Sequence, residues 1–167
     1  VFQSPEARYI RALTTHGMLP LRRPILSEAI RVLLVEDDEN DVRITRRALN
    51  RSGVAVELEV AASGSAALEL LADASRRPNL ILLDLNLPGM HGFELLERIK
   101  RDAALELSAI PVLILTTSRQ DDDVQRAYAA GAAGFVPKPV AYGAFASVIA
   151  QTMAWWAQVC ILPGRKA

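Results

Sequence analysis

The feature that most limits what this chain can fold into is a regular alternation, from residue 30 onward, of short apolar runs with longer amphipathic stretches. Residues 30–35 read Ile-Arg-Val-Leu-Leu-Val, a β-type run, and 41–49 then carry Val42, Ile44, Ala48 and Leu49 among arginines, the spacing of an amphipathic helix. Ser52-Gly53 closes that helix, and 54–60 alternate apolar and polar residues with the period of a strand that has one more exposed face. A helix is predicted from Ser63 to about Leu71, a fully apolar strand over 79–83, and a helix over 93–99 with Phe93, Leu96 and Ile99 along one side. A strand over 111–115, a helix over 121–130 ended by Gly131, a very short strand over 134–136 and a last helix over 141–156 complete the series. Five β-α units of this length imply an α/β fold, a doubly wound five-stranded parallel sheet, because each right-handed crossover must lay its helix on one face or the other.

Each apolar run gives way to polar residues. Glu36, Asp37 and Asp38 come after Val35, Asp84 after Leu83, Thr116 and Thr117 after Leu115, and Lys138 stands between Pro137 and Pro139 after Val136. In a doubly wound sheet the C-terminal strand ends converge on the ligand crevice, so these groups should meet there. Glu36, Asp37 and Asp84 offer the hard oxygens that suit Mg²⁺, which takes one or two protein carboxylates and otherwise keeps water or phosphate oxygens. Thr116 can donate to a phosphoryl oxygen, and Lys138 supplies positive charge where a transferred phosphoryl group carries negative charge. Together they describe capture of a phosphoryl group on a carboxylate. Plainer roles compete for some of them: Asp38 leads into a helix and reads as its N-cap, Phe135 reads as core, and Gly92, Gly131 and Gly134 read as turn or cap glycines. Asp84 resists such a role, because it leads into a stiff Leu-Asn-Leu-Pro-Gly loop and not into a helix. A surface lysine needs no proline on both sides, so Lys138 also reads as a site residue.

Composition removes several classes. A chain of 167 residues that is 51% hydrophobic and 23% charged can bury a core, and 19 basic against 19 acidic residues give no basic field for direct nucleic-acid binding. Cys160 is the single cysteine, which excludes an internal disulfide and a structural zinc cluster and suits a reducing, cytoplasmic setting. Residues 1–29, arginine-rich and without the apolar core of a secretory signal, read as a mobile arm, with Met18 an alternative start. Residues 140–164 contain no charged side chain, yet Ser147, Gln151, Thr152, Gln158 and several alanines keep them short of a membrane span.

Four stretches, "VLLVEDDENDVRI", "LILLDLNLPGMHGFELLERIK", "IPVLILTTS" and "AYAAGAAGFVPKPV", resemble in order and spacing the signature regions of the receiver domain of two-component response regulators. The resemblance covers about residues 30–156 and implies a receiver domain over 30–158, a tail over 159–167, and a flavodoxin-like strand order 2-1-3-4-5. It further implies that Glu36 and Asp37 are the acidic pair, that Asp84 is the phosphoacceptor, and that Thr116 and Phe135 are the switch pair. Lys138 is then the conserved-type lysine, and the backbone carbonyl of Asn86 completes the Mg²⁺ shell. The donor is then a sensor histidine kinase, and Asn86 and Ser118 modulate hydrolysis of the acyl phosphate. His91 departs from the aspartate usual at this place, which puts the start of the third helix in question. The ending "AWWAQVCILPGRKA", with "RDAALELSAIP" and "AYAAG", resembles the single-domain regulators that accompany phytochrome-type kinases, so a bacteriophytochrome is the kinase expected.

Two alternatives differ from this reading in single features. A haloacid-dehalogenase-like phosphatase requires a second aspartate two residues after the first, where this chain has Asn86. A receiver-like interaction module that is never phosphorylated would be expected to lack one of the acids or the lysine. The last helix raises a further expectation: with Phe145, Val148, Ile149 and Thr152 as its sheet-facing stripe, Met153, Trp155 and Trp156 cannot all point inward, since adjacent helical residues lie about 100° apart. A homodimer through this helix, using Phe145, Ile149, Met153, Trp155 and Trp156 and the tail over 159–163, would cover the remainder.

Overall fold

The central strands carry the least polar sequence in the chain because both of their faces are covered. In the computed structural model, which describes residues 29–102, 106–160 and 162–163, these are β1 (Ile30–Val35), β3 (Leu80–Leu83) and β4 (Val112–Thr116). All four residues of β3 and all five of β4 are buried, and in β1 only Arg31 is partly exposed. The edge strands β2 (Val56–Ala61) and β5 (Gly134–Pro137) are more open, and Pro137, which cannot donate to a ladder, lies in an edge strand as it must. The sheet is parallel throughout, in the order β2-β1-β3-β4-β5. The arm expected before residue 30 lies outside the described residues except for its last position, and so does the end of the tail over 164–167.

Alternation along the strands divides the core in two. Leu33, Val35, Ile81, Leu83, Val112 and Ile114 face α2 (Gly64–Ala72), α3 (Gly92–Arg101) and α4 (Asp121–Ala129), whose Leu71, Phe93, Leu96 and Ala127 fill that side. Ile30, Val32, Leu34, Leu80, Leu82, Leu113 and Leu115 face α1 (Glu39–Asn50) and α5 (Tyr142–Gln158). The register aligns Val35 with Leu83, Leu83 with Ile114, and Thr116 with Pro137, so the residues just past these strands emerge along one edge.

Local chemistry sets the helix starts. Asp38 is the N-cap of α1, its Oδ1 accepting from the N–H groups of Asn40 at 2.8 Å and Asp41 at 3.0 Å, and Ser63 caps α2 through Ala66 N–H at 3.2 Å. His91, the departure from the family pattern, does cap α3: its Nδ1 accepts from Phe93 N–H at 3.3 Å and its ring stacks on Phe93, with centroids 5.5 Å apart. Gly131, with φ +90°, follows α4 as expected of a helix stop.

The last helix departs from expectation. Its buried stripe is Phe145, Ile149 and Met153, spaced four apart, with Trp156 packed partly against the same cluster, while Val148 and Thr152 are only half-buried. Phe145, Ile149 and Met153 are 4%, 1% and 0% exposed within their own chain and cannot form the centre of an interface with a second copy. Trp155 remains, 57% exposed. The tail also turns inward: Leu162 is buried in the α1/α5 core, and Asn79 Nδ2 donates to the Pro163 carbonyl at 3.0 Å while its Oδ1 accepts from Arg31 N–H. Among the described residues no helix is long and apolar enough to cross a membrane.

One buried polar atom is a defect in this packing. Thr45, in the middle of α1, is 0% exposed, and among the described residues its hydroxyl has no hydrogen-bond partner. Thr45→Val keeps the shape and removes the desolvated hydroxyl, and should raise the free energy of unfolding by ~1 kcal/mol. Urea melts check this; a loss of stability would mean that the hydroxyl is satisfied in solution.

Candidate functional site

Three strand ends and one helix start build the site. Backbone pairing continues past the strands: Glu36 N–H donates to Ala61 C=O at 3.0 Å, Asp84 N–H to Val35 C=O at 3.0 Å, and Lys138 N–H to Thr116 C=O at 2.7 Å. These bonds carry Glu36, Asp84 and Lys138 off β1, β3 and β5 in a fixed relation, with β4 between the last two. The Lys138 ammonium then lies among three carboxylates, 2.5 Å from Glu36 Oε2, 2.8 Å from Asp41 Oδ2 and 3.0 Å from Asp84 Oδ2. Glu36, Asp84 and Lys138 are buried and Asp41 is half-buried. Second oxygens are used as well, Glu36 Oε1 accepting from Asp38 N–H and Asp84 Oδ1 from Asn86 N–H, each at 3.3 Å.

The loop after Asp84 presses on the backbone of Asp84 itself. A Cβ on Gly92 would stand 2.4 Å from Asp84 O and 2.6 Å from Leu85 Cα, so only glycine fits where α3 begins, and Gly92 N–H donates to Leu85 C=O at 2.9 Å. Thr116 is fully buried at the end of β4, its Oγ1 accepting from Ser118 N–H at 3.3 Å. Phe135, in β5, is half-buried and packs partly against the α2/α3/α4 core.

Glu36, Asp84, Thr116, Lys138 and Phe135 are thus carried by β1, β3, β4 and β5 as the sequence implied. Asp37 is exposed, and among the described residues the group of carboxylates close enough to share a cation is Glu36, Asp41 and Asp84. Asp41 is not among the site residues that the sequence points to. Its signal is positional: capped at Asp38, α1 begins so soon after β1 that its first turn folds back over the strand ends and turns Asp41 to Lys138.

Three carboxylates against one ammonium leave the cluster anionic, and the protein relieves this at Glu36. Burial pushes its carboxyl up to about 7, opposed by the hydrogen bond and charge of Lys138 and reinforced by the charges of Asp84 and Asp41. Burial alone would lower the Lys138 ammonium, but hydrogen bonds to Asp41 and Glu36 and the charges of Glu36 and Asp84 hold it above the usual lysine range. A divalent cation needs the ionised carboxylates, so its affinity should fall as pH drops through about 7. The metal-free fold responds in the opposite sense. The folded state holds the Glu36 proton more tightly than the unfolded chain, so this group favours folding below about 4.5 and does so less and less as pH rises to about 7. Thermal melts at about pH 5.5 and about pH 8, in chelator and separately with added Mg²⁺, check both signs: added metal should stabilise more at the higher pH.

A flavodoxin-like sheet with an acidic crevice built around one buried lysine at its C-terminal edge defines an α/β protein whose chemistry is carried by carboxylates. Residues 32–150 match the family model of the response regulator receiver domain, and the chain belongs to that family. Probable methanogenesis regulatory protein FilR2 of Methanothrix harundinacea is 36% identical over 129 residues, covering 75% of this chain and 82% of that protein. Response regulator Rcp1 of Synechocystis sp. is 44% identical over 102 residues, 58% of this chain and 68% of Rcp1. The crystal structure of the Mn²⁺-bound form of Rcp1 superposes with a TM-score of 0.73 over 81% of this chain and 99% of that one, at 34% identity. The phosphorylated cyanobacterial phytochrome response regulator RcpA does so with a TM-score of 0.75, at 34% identity over 82% of this chain and all of RcpA.

Proposed function

We propose that this receiver accepts a phosphoryl group from a sensor histidine kinase onto Asp84, in a Mg²⁺-dependent reaction, and signals through the resulting change of shape. The observation that carries this is the buried Asp84 carboxylate at the end of a central strand, faced at 3.0 Å by a buried ammonium. An Asp84 oxygen forms the new O–P bond as the N–P bond to the donor imidazole breaks, and Lys138 offsets the negative charge of the phosphoryl oxygens. The donor set fits a hard divalent cation: Glu36, Asp41 and Asp84 present carboxylate oxygens within 4.8 Å of one another, and Asp37 and the Asn86 carbonyl are near in sequence to complete a shell. When bound, Mg²⁺ neutralises charge as two anions approach. Thr116 then turns its hydroxyl to the acyl phosphate and Phe135 follows inward, a population shift between two states a few kcal/mol apart.

The chain is thus a phosphoacceptor that promotes its own phosphorylation and dephosphorylation rather than an enzyme acting on other molecules, and a cytoplasmic setting suits a kinase donor. The likeness to RcpA and Rcp1 supports a phytochrome-type kinase as that donor. Intact-mass measurement after acetyl phosphate or phosphoramidate with Mg²⁺ tests the central claim. One added phosphoryl group is expected; an unchanged mass would leave a protein-interaction module that is not phosphorylated.

We propose also that the chain forms a homodimer through the outer face of α5. Trp155 and Val159 are 57% and 60% exposed on a segment without charged side chains, the composition of an interface centre. Sedimentation at low micromolar concentration should give a dimer that Trp155→Ser weakens about tenfold or more. A monomer, phosphorylated or not, would assign the patch to another partner.

A further inference from the structure

The loop joining β4 to α4 is bonded to itself in a way the phosphoryl chemistry does not require. Ser118 N–H donates to Thr116 Oγ1 at 3.3 Å, and Ser118 Oγ donates to Asp123 Oδ2 at 2.5 Å while accepting from Gln120 N–H at 3.4 Å. Asp123 is the third residue of α4, where an acid ordinarily reaches back to the N-cap N–H. Here the Ser118 hydroxyl stands between the two, and Gln120, the N-cap residue, makes no side-chain cap of its own. Asp121 and Asp122, in the same first turn, are exposed, and Asp123 alone of the three is half-buried. General stabilisation of the helix N-terminus by acids explains Asp121 and Asp122, but not a carboxylate turned to a loop hydroxyl two residues beyond Thr116.

We infer that Asp123 is a positioning residue that latches Ser118, and through it Thr116, in the unphosphorylated arrangement. The inference rests on the proposed phosphorylation of Asp84. As Thr116 turns its hydroxyl to donate to a phosphoryl oxygen, the adjoining loop, tied to that hydroxyl through Ser118 N–H, moves with it, and that movement pulls Ser118 away from the Asp123 carboxylate. A charge-assisted hydrogen bond made in the resting state alone weights the equilibrium against the switch. Asp123 thereby sets how readily the receiver takes up its phosphoryl group, without touching the reacting atoms.

Asp123→Ala should speed phosphoryl uptake from phosphoramidate by roughly tenfold or more, the range expected when one charged hydrogen bond is lost from the resting state. Asp123→Asn, whose amide oxygen still accepts from Ser118, should stay within about twofold of wild type. Ser118→Ala should match Asp123→Ala, and the double variant should equal either single one, because all three break the same bond. Amide hydrogen exchange over 116–123 in the unphosphorylated protein reads the latch without any phosphoryl transfer, and should be faster in Asp123→Ala than in wild type. Equal exchange in the two proteins, uptake no faster than wild type, or additive effects of the two single variants would overturn the inference. A wild-type protein that takes up no phosphoryl group, with exchange still accelerated in Asp123→Ala, would sink the phosphorylation reading and leave the latch standing.

Discussion

Asp84→Asn should take up no phosphoryl group from a small donor or from a kinase, with incorporation at background rather than merely slowed. The variant keeps the shape of the residue and its hydrogen bonds: an amide oxygen can still accept from Asn86 N–H or from the Lys138 ammonium, as Asp84 Oδ1 and Oδ2 do. The substitution removes the anionic oxygen that must bond to phosphorus, and a neutral amide is not a competent nucleophile for this step. The fold should survive. Asp84 is one of three carboxylates around a single ammonium, so its neutralisation lowers mutual repulsion and leaves Lys138 paired with Glu36 and Asp41. Intact-mass analysis beside a thermal melt separates the two effects: a melting temperature at or above that of wild type with no mass gain is the expected pair. A mass gain in this variant would move the acceptor to another side chain.

Most of the site was legible because the fold translates chain order into position. Once the runs at 30–35, 79–83 and 111–115 are read as parallel strands, Glu36, Asp84 and Thr116 fall on one edge with no further information, and Lys138 is placed by the short strand before it. The reading failed where position depends on helical geometry. Asp41 lies inside a helix that the sequence placed correctly, but its direction depends on the cap at Asp38, which fixes how the first turn sits over β1. The α5 stripe failed for a related reason. With no charged residue in the segment, polarity cannot mark the outer face, and only packing against Ile30, Leu34 and Leu113 selects Phe145, Ile149 and Met153 over Val148 and Thr152. The Ser118–Asp123 bond was likewise hidden, because three successive aspartates at a helix start look alike until one of them finds a loop hydroxyl.

Lys138→Met should be the most destabilising substitution in the site, and its effect should depend on pH and metal. The ammonium is 2.5 to 3.0 Å from three carboxylate oxygens, two of them on buried residues. Methionine fills similar volume but leaves Glu36, Asp41 and Asp84 facing one another without a counter-charge. Removing one partner of a buried ion pair costs roughly 3–5 kcal/mol, because the remaining charge is left desolvated. That is a large part of the roughly 5–15 kcal/mol that holds a small domain folded. The cost has two routes of relief. Glu36, already pushed up to about 7, can take a proton, and loss of Lys138 removes the influence that holds it down, so the variant should recover as pH falls and worsen as pH rises. A divalent cation can stand among the same carboxylates, so Mg²⁺ should stabilise the variant more than wild type, where an ammonium already lies among those oxygens. Phosphoryl uptake should remain slow even when Mg²⁺ restores the fold, since no ammonium is left to offset the charge on the phosphoryl oxygens. Melts in chelator at about pH 8 give the direct reading: stability equal to wild type there would mean that the lysine does not neutralise the cluster, and normal uptake in the refolded, metal-bound variant would remove Lys138 from the chemistry.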